Sequence, residues 1–232
     1  MALKDWIRLL ILALVWGSAF FLIEIALRST GPFTIVLVHV LVAAIALHIY
    51  CCFRGVFFWP NIKLACEFAI LGLIANAIPF SLISLGQTKI DSGLTAIIIA
   101  TTPLFTIAAA HLFGRSETVT PAKFAGLTVG IADIVFLMGP TTLASISGDE
   151  WGEATILLAA FFYAISAVYG RRFMEHPPAA VAAWMLSAAS IMVVPRSLHY
   201  RNTLLANTGT HAIGCDAGPC PAVHGLRLHP VF

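Results

Sequence analysis

The chain has 232 residues, of which 59% are hydrophobic and 10% charged, with a formal net charge of +2 and a mean hydropathy of +0.93. Soluble domains average roughly 25% charged residues, so this chain lacks the polar side chains to cover a water-soluble globule. The few basic residues are spread along it, which excludes a nucleic-acid-binding patch and makes a bilayer the solvent to consider.

The apolar stretches, taken in chain order, read as seven spans. An α-helix rises about 1.5 Å per residue and the hydrocarbon layer is about 30 Å thick, so roughly 20 residues cross it. Residues 6–27, 32–53, 64–85 and 93–113 reach that length, whereas 124–138, 154–169 and 179–194 are shorter. The short ones are assigned to the membrane by their company, because no polar segment is long enough to form a soluble domain that would bury them. Strict alternation of apolar and polar residues is absent, so helices are expected and a barrel is not.

The loops set the orientation. Lys and Arg gather on the cytoplasmic side of membrane proteins. With the N-terminus inside, Lys4, Arg8, Arg54, Lys63, Arg115, Lys123, Arg171 and Arg172 are cytoplasmic and Arg28 and Lys89 face out; past the seventh span Arg196 and Arg201 would also lie outside, against that pattern. The expected product is a multi-pass protein of the inner membrane with a cytoplasmic N-terminus. Residues 6–27 lack a small-x-small cleavage site and are too long for a signal peptide, so they are read as a retained span.

Short motifs follow one another through these spans. Trp16, Gly17, Ser18, Ala19 and Phe20 form one group in the first, and Asn76, Pro79 and Phe80 lie inside the third, which ends on Leu85, Gly86 and Gln87. Ser92 to Ala96 enter the fourth, which continues through Thr101, Thr102 and Pro103; Gly126 and Gly130 lie in the fifth. In order and spacing these motifs resemble the EamA family of the drug/metabolite transporter superfamily. The resemblance covers about 185 residues. It implies a ten-helix fold of two five-helix inverted repeats, and secondary transport of small metabolites or drugs, often as efflux.

The expected fold class is therefore an all-α membrane protein, a polytopic helical bundle. It divides into a first five-helix repeat over 6–139, two helices of an inverted second repeat over 152–195, and an aberrant, disordered tail over 196–232. A weak internal match supports the repeat: Trp16-Gly17-Ser18 has a counterpart in Tyr163-Ala164-Ile165, and Pro32 opens the second span as Pro178 opens the seventh. Inverted repeats place binding sites at the midplane between them. The tail departs from the resemblance. It holds four of the eight His and two of the five Cys, and it reads as a reading-frame shift or equivalent truncation. On that expectation the chain is transport-incompetent by itself; other-frame apolar spans in the coding DNA past codon 195 are the check.

The expected substrate pathway comprises Trp16, Ser18, His39, Asn76, Pro79, Thr101, Thr102 and Asp133. Proline removes a backbone donor and crowds the carbonyl four residues back, so Pro79 and Pro103 mark breaks. Freed carbonyls and Thr hydroxyls then face a cavity, or the hydroxyls bond their own helix. His39, where the family more often carries Arg, is an intramembrane ionisable group suited to a coupling proton; the alternative is a neutral His bonded to a carbonyl. Asp133, where the family usually has a small residue, is either a buried carboxylate that binds a cation or proton or an unfavourable substitution. Trp16 lines the cavity or packs against lipid. Glu24 reads as solvated at the outer interface, Lys89 and Asp91 as a surface pair, and Trp6, Trp59 and Trp151 as interfacial anchors.

The expected partners are the lipid bilayer, a small-molecule substrate and a coupling proton, with no nucleic acid. Gly126 and Gly130 form a GxxxG pair that suits either internal packing or a homodimer. No cofactor and no metal are expected. His211, Cys215, Cys220 and His224 have zinc-ligand types but no apolar framework. GxxxxGK[ST], HExxH and GxSxG are all absent from the sequence, so no enzyme activity is expected. The alternative function is a non-transporting membrane component that acts through partner assembly.

Overall fold

The computed structural model describes residues 3–112, 125, 126, 128, 129, 132, 136 and 149–213, with the side chains of 111–112 and 201–213 excepted. Among the described residues there is no strand, and six helical stretches are long and apolar enough to cross a membrane. The chain is an all-α, multi-pass membrane protein. The helices are α1 (Leu3–Leu27), α2 (Pro32–Arg54), α3 (Ile62–Gly72), a π-helical segment (Leu73–Ala77), α4 (Ile78–Gly86), α5 (Ser92–Ile99), α6 (Thr102–Leu112), α7 (Glu150–Gly170) and α8 (Pro178–Ile213).

Local chemistry places their ends. Pro32 opens α2, where its missing N–H is no loss. Gly55 closes α2 with φ 65°, a left-handed position that favours glycine. Asn61, Asp91 and Asp149 each cap a helix by accepting a backbone N–H three residues on, from Leu64, Leu94 and Gly152 at 2.9, 2.7 and 3.0 Å.

Two of the short spans are longer than their hydropathy implied. The sixth begins at Glu150, and the acidic Glu150 and Glu153, read as loop in the sequence, occupy the first turn of α7. Negative charge there complements the helix dipole. The seventh, expected over 179–194, runs as α8 from Pro178 to Ile213, with Pro195 inside it. The disordered tail expected from 196 therefore begins as helix. Ser197 is buried and donates to Val194 O at 2.9 Å, and Tyr200 meets Phe33 edge-on at 5.8 Å between centroids. That packing against the start of α2 extends the helix where apolarity alone does not. The fifth span and residues 214–232, with Gly130, Asp133, Cys215, Cys220 and His224, lie outside the described residues, apart from the few positions of 125–136 named above.

The packing forms two linked groups. α8 lies against α2 and α3, and α7 lies against α4, α5 and α6; α1 stands at the edge, touching α5 and α2. Lipid tails are as apolar as side chains, so close packing rather than water exclusion joins such helices, and small residues let backbones approach. α7 buries Ala159 and Ala160 beside Ile83 and Leu94; α8 buries Ala189 beside Val36 and Val40, and Ala180 and Ala183 beside Cys51. At Gly72 the approach is so close that a Cβ would collide with the Met185 carbonyl oxygen of α8.

At one end of the bundle, rings gather where α2 ends and α8 begins. Trp184 donates from Nε1 to Phe58 O at 3.0 Å, and His48, Phe57 and Trp59 surround it at centroid distances of 5.2–5.9 Å. Trp59 is exposed there.

Candidate functional site

The third span is one continuous helical stretch with a defect at its centre. Pro79 has no N–H to donate, and its ring crowds the carbonyl four residues back, that of Ala75. The backbone answers by widening. Over Leu73–Ala77 it is π-helical, and the Ile78 N–H reaches Leu73 O, five residues back. π-bulges of this kind occur often at functional sites. Ser81 Oγ donates to Ala77 O at 2.6 Å and satisfies one carbonyl near the break.

Beside this defect lies a cavity of about 410 Å³. α1 contributes Trp16 and Phe20, α2 contributes His39, the π segment Asn76, α4 Phe80 and Ser84, and α7 Tyr163 and Ser166. Rings form much of the wall. Phe80 stands edge-to-face with His39 at 5.1 Å and with Tyr163 at 6.3 Å, so the α2 and α7 sides meet through one phenyl ring.

Asn76, Phe80, Ser84 and Gln87 are spaced four, four and three residues apart, so they share one face of the broken helix. Three of them are buried with a polar atom that has no partner: Asn76 Nδ2, Ser84 Oγ and Gln87 Oε1. An unpaired buried polar atom costs about 1–3 kcal/mol. Three on one face, beside a cavity, form a polar track in an otherwise apolar bundle.

Two polar links hold α1 at the Gln87 end of this track. Gln87 Nε2 donates to Phe20 O at 3.1 Å, and Glu24 accepts the Ser92 N–H at 3.0 Å. Glu24, read in the sequence as solvated, is half-buried and caps α5 instead. Its contact with Arg28, at 3.9 Å and largely exposed, adds little. Lys89 and Asp91 were read as a pair; the Asp91 carboxylate instead caps α5 through Leu94.

The expected pathway residues separate into three sets. Trp16, His39 and Asn76 line the cavity. Ser18, Pro79, Thr101 and Thr102 do not. Ser18 Oγ donates to Val15 O at 3.0 Å on the exposed side of α1, and Pro79 is buried as the cause of the π segment. Thr101 and Thr102 donate to Ile98 O and Ile99 O, each at 2.6 Å. Pro103 cannot donate to Ile99 O, and the Thr102 hydroxyl takes that carbonyl in its place. The fourth span is accordingly two helices, α5 and α6, separated at Ala100 and Thr101. Asp133 lies outside the described residues.

Phe80, Ser84, Tyr163 and Ser166 were not among the expected pathway residues. For Tyr163 a signal was present in its correspondence with Trp16 in the repeat, and both line the cavity. Ser84 was detectable from its spacing behind Asn76 on one helical face.

Comparison with known proteins places this architecture. The model of the EamA-like transporter family matches residues 6–139, more than half of the chain. An uncharacterized inner membrane transporter of Escherichia coli K12, YedA, is 29% identical over 185 residues, which are 79% of this chain and 58% of that protein. YoaV, an uncharacterized transporter of Bacillus subtilis, is 21% identical over 198 residues, 82% of this chain and 65% of YoaV. A probable amino-acid metabolite efflux pump of Salmonella typhimurium is 25% identical over 204 residues, 84% of this chain and 63% of the pump. The chain thus spans less than two thirds of the length of these relatives. No solved structure matches it. With its multi-pass helical bundle and the family match over the first five spans, the chain belongs to the EamA-like transporter family.

Proposed function

We propose that the protein is a secondary transporter of a small metabolite or drug, working by alternating access without ATP, and that the cavity beside the π segment is its substrate site. One observation carries the reading: a cavity of about 410 Å³ inside the bundle, walled by a proline-broken helix that presents unpaired polar atoms. Irregular backbone at membrane depth is tolerated where it lines a cavity, and a pocket of this size suits a small ligand. Family membership supports the same reading, and the name of the Salmonella relative makes efflux the direction to test first.

In this proposal the relation of 152–195 to the first repeat is an inverted one, and substrate sits between the two. Tyr163 of α7 and Trp16 of α1 would face it from equivalent positions. His39 is the coupling group: its ring opens on the cavity and has no hydrogen-bond partner among the described residues. The N-terminus is cytoplasmic, on the charge asymmetry of the loops.

The test is flux. Proteoliposomes of this chain, loaded with a bacterial extract of small metabolites, are followed by mass spectrometry of the external medium beside empty liposomes and the Asn76→Leu protein. Release of at least one compound by the wild type alone supports the proposal. Equal release from all three preparations would overturn transport by this chain and agree with the incompetence expected from its truncation.

A further inference from the structure

The chemistry of the cavity wall narrows the substrate class. Trp16, Phe20, His39, Phe80 and Tyr163 supply rings, whereas the hydrogen-bonding groups Asn76, Ser84 and Ser166 are neutral. No Asp, Glu, Lys or Arg lines the cavity among the described residues. Two carboxylates at the Gln87 end of the track are engaged otherwise: Glu24 and Asp91 cap α5. Ser166 Oγ donates to Tyr163 O at 2.8 Å. Asn76 and Ser84, each more than nine-tenths buried, are left with unpaired polar atoms eight residues apart on one helical face.

We propose that this cavity selects an uncharged aromatic molecule, stacked against Phe80 and Tyr163 with its hydrogen-bonding group taken up by Asn76 or Ser84, and rejects charged molecules of the same shape. The proposal rests on the cavity being the substrate site. Ring against ring is favoured edge-to-face or offset, and Phe80 already holds both neighbours that way. With His39 neutral, a charged ligand would lose hydration without gaining a counter-charge from the described wall. Aromatic faces do attract cations, but that attraction is smaller than the loss of hydration where no carboxylate lines the site among the described residues. A neutral ligand avoids the loss and can pair with one of the polar atoms that find no partner within the protein.

Naphthol, naphthoate and naphthylmethylammonium share one ring system and differ in charge at neutral pH. Binding of each to the whole chain in lipid nanodiscs is measured by equilibrium dialysis, with empty nanodiscs subtracted to remove partition into lipid. Naphthol is expected to bind at least tenfold more tightly than either charged compound. Of Asn76→Leu and Ser84→Ala, each checked for an unchanged elution volume, at least one is expected to weaken naphthol at least fivefold. The same preference is expected in His39→Gln, which removes the wall's ring able to gain a proton.

A charged compound that binds as tightly as naphthol would overturn the proposal. So would unchanged naphthol affinity in both polar variants, or binding of none of the three. Flux of a charged metabolite without naphthol binding leaves transport standing and sinks the substrate class. Selective naphthol binding without flux of any compound does the reverse.

Discussion

Replacing Gly72 with alanine puts one methyl group where α3 and α8 cross. The added Cβ would collide with the Met185 carbonyl oxygen and lie 3.1 Å from Met185 C and 3.3 Å from Ala189 N. All three are backbone atoms of one helix, so no side-chain rotation relieves the contact; the helices must separate. Leu71, Ala189 and Leu186 are buried around this crossing, and a gap of 0.5–1 Å forfeits about a quarter to a half of the dispersion attraction of each facing pair. Overpacking costs about 1–3 kcal/mol, here at the upper end because the obstacle is backbone. Alanine's better helix propensity returns up to about 1 kcal/mol. The net expectation is a loss of about 1–2 kcal/mol. Gly17 is the control, because a Cβ there meets nothing within 4 Å; Gly17→Ala should be neutral or stabilising by up to about 1 kcal/mol. Reversible unfolding by SDS in mixed micelles reads both. If Gly72→Ala is as stable as wild type, the close crossing of α3 and α8 is wrong.

Other substitutions separate stability from function. Asn76→Leu removes an unpaired buried amide and should leave stability unchanged or raise it by about 1–3 kcal/mol, while abolishing flux; a fall in stability would show that Asn76 is paired. Pro79→Ala restores an N–H able to bond within the helix, so hydrogen exchange over residues 73–79 should slow as the π segment reverts to α-helix; unchanged exchange would mean that packing against α8, not the proline, maintains the bulge. Glu24→Ala should cost about 0.5–2 kcal/mol through loss of the cap on Ser92, and Glu24→Gln less, measured by the same SDS titration. Finally, a protein whose one cysteine is the exposed Cys66 should react with an impermeant maleimide only after cells are permeabilised; labelling of intact cells would reverse the proposed orientation.

Much of the fold was legible because membrane spanning is a local property. Twenty apolar residues satisfy their own backbone as a helix wherever they sit, so four spans and most of the remaining positions could be read from hydropathy. The α7 start was hidden by Glu150 and Glu153, which hydropathy counts as loop and a helix N-terminus welcomes. The continuation of α8 was hidden because Arg196, Ser197 and Tyr200 are polar, whereas Arg196 and Tyr200 there pack against Phe33 of α2.

What the sequence determined by itself was the setting and the breaks: a bilayer protein, helical, with prolines that interrupt its third and fourth spans. Which polar residues face the cavity was decided only in the tertiary structure. Asn76 and Thr102 look alike in sequence, each a mid-span polar residue shortly before a proline, Pro79 and Pro103. Thr102 can reach the carbonyl that Pro103 leaves free, so its hydroxyl is engaged within its own helix at 2.6 Å. The Asn76 amide Nδ2 finds no such acceptor, and the arrangement of α1, α2 and α7 around it places that residue on a cavity wall. Hydrogen bonding within a turn is short-range and can be anticipated from spacing; convergence of five helices is long-range and cannot.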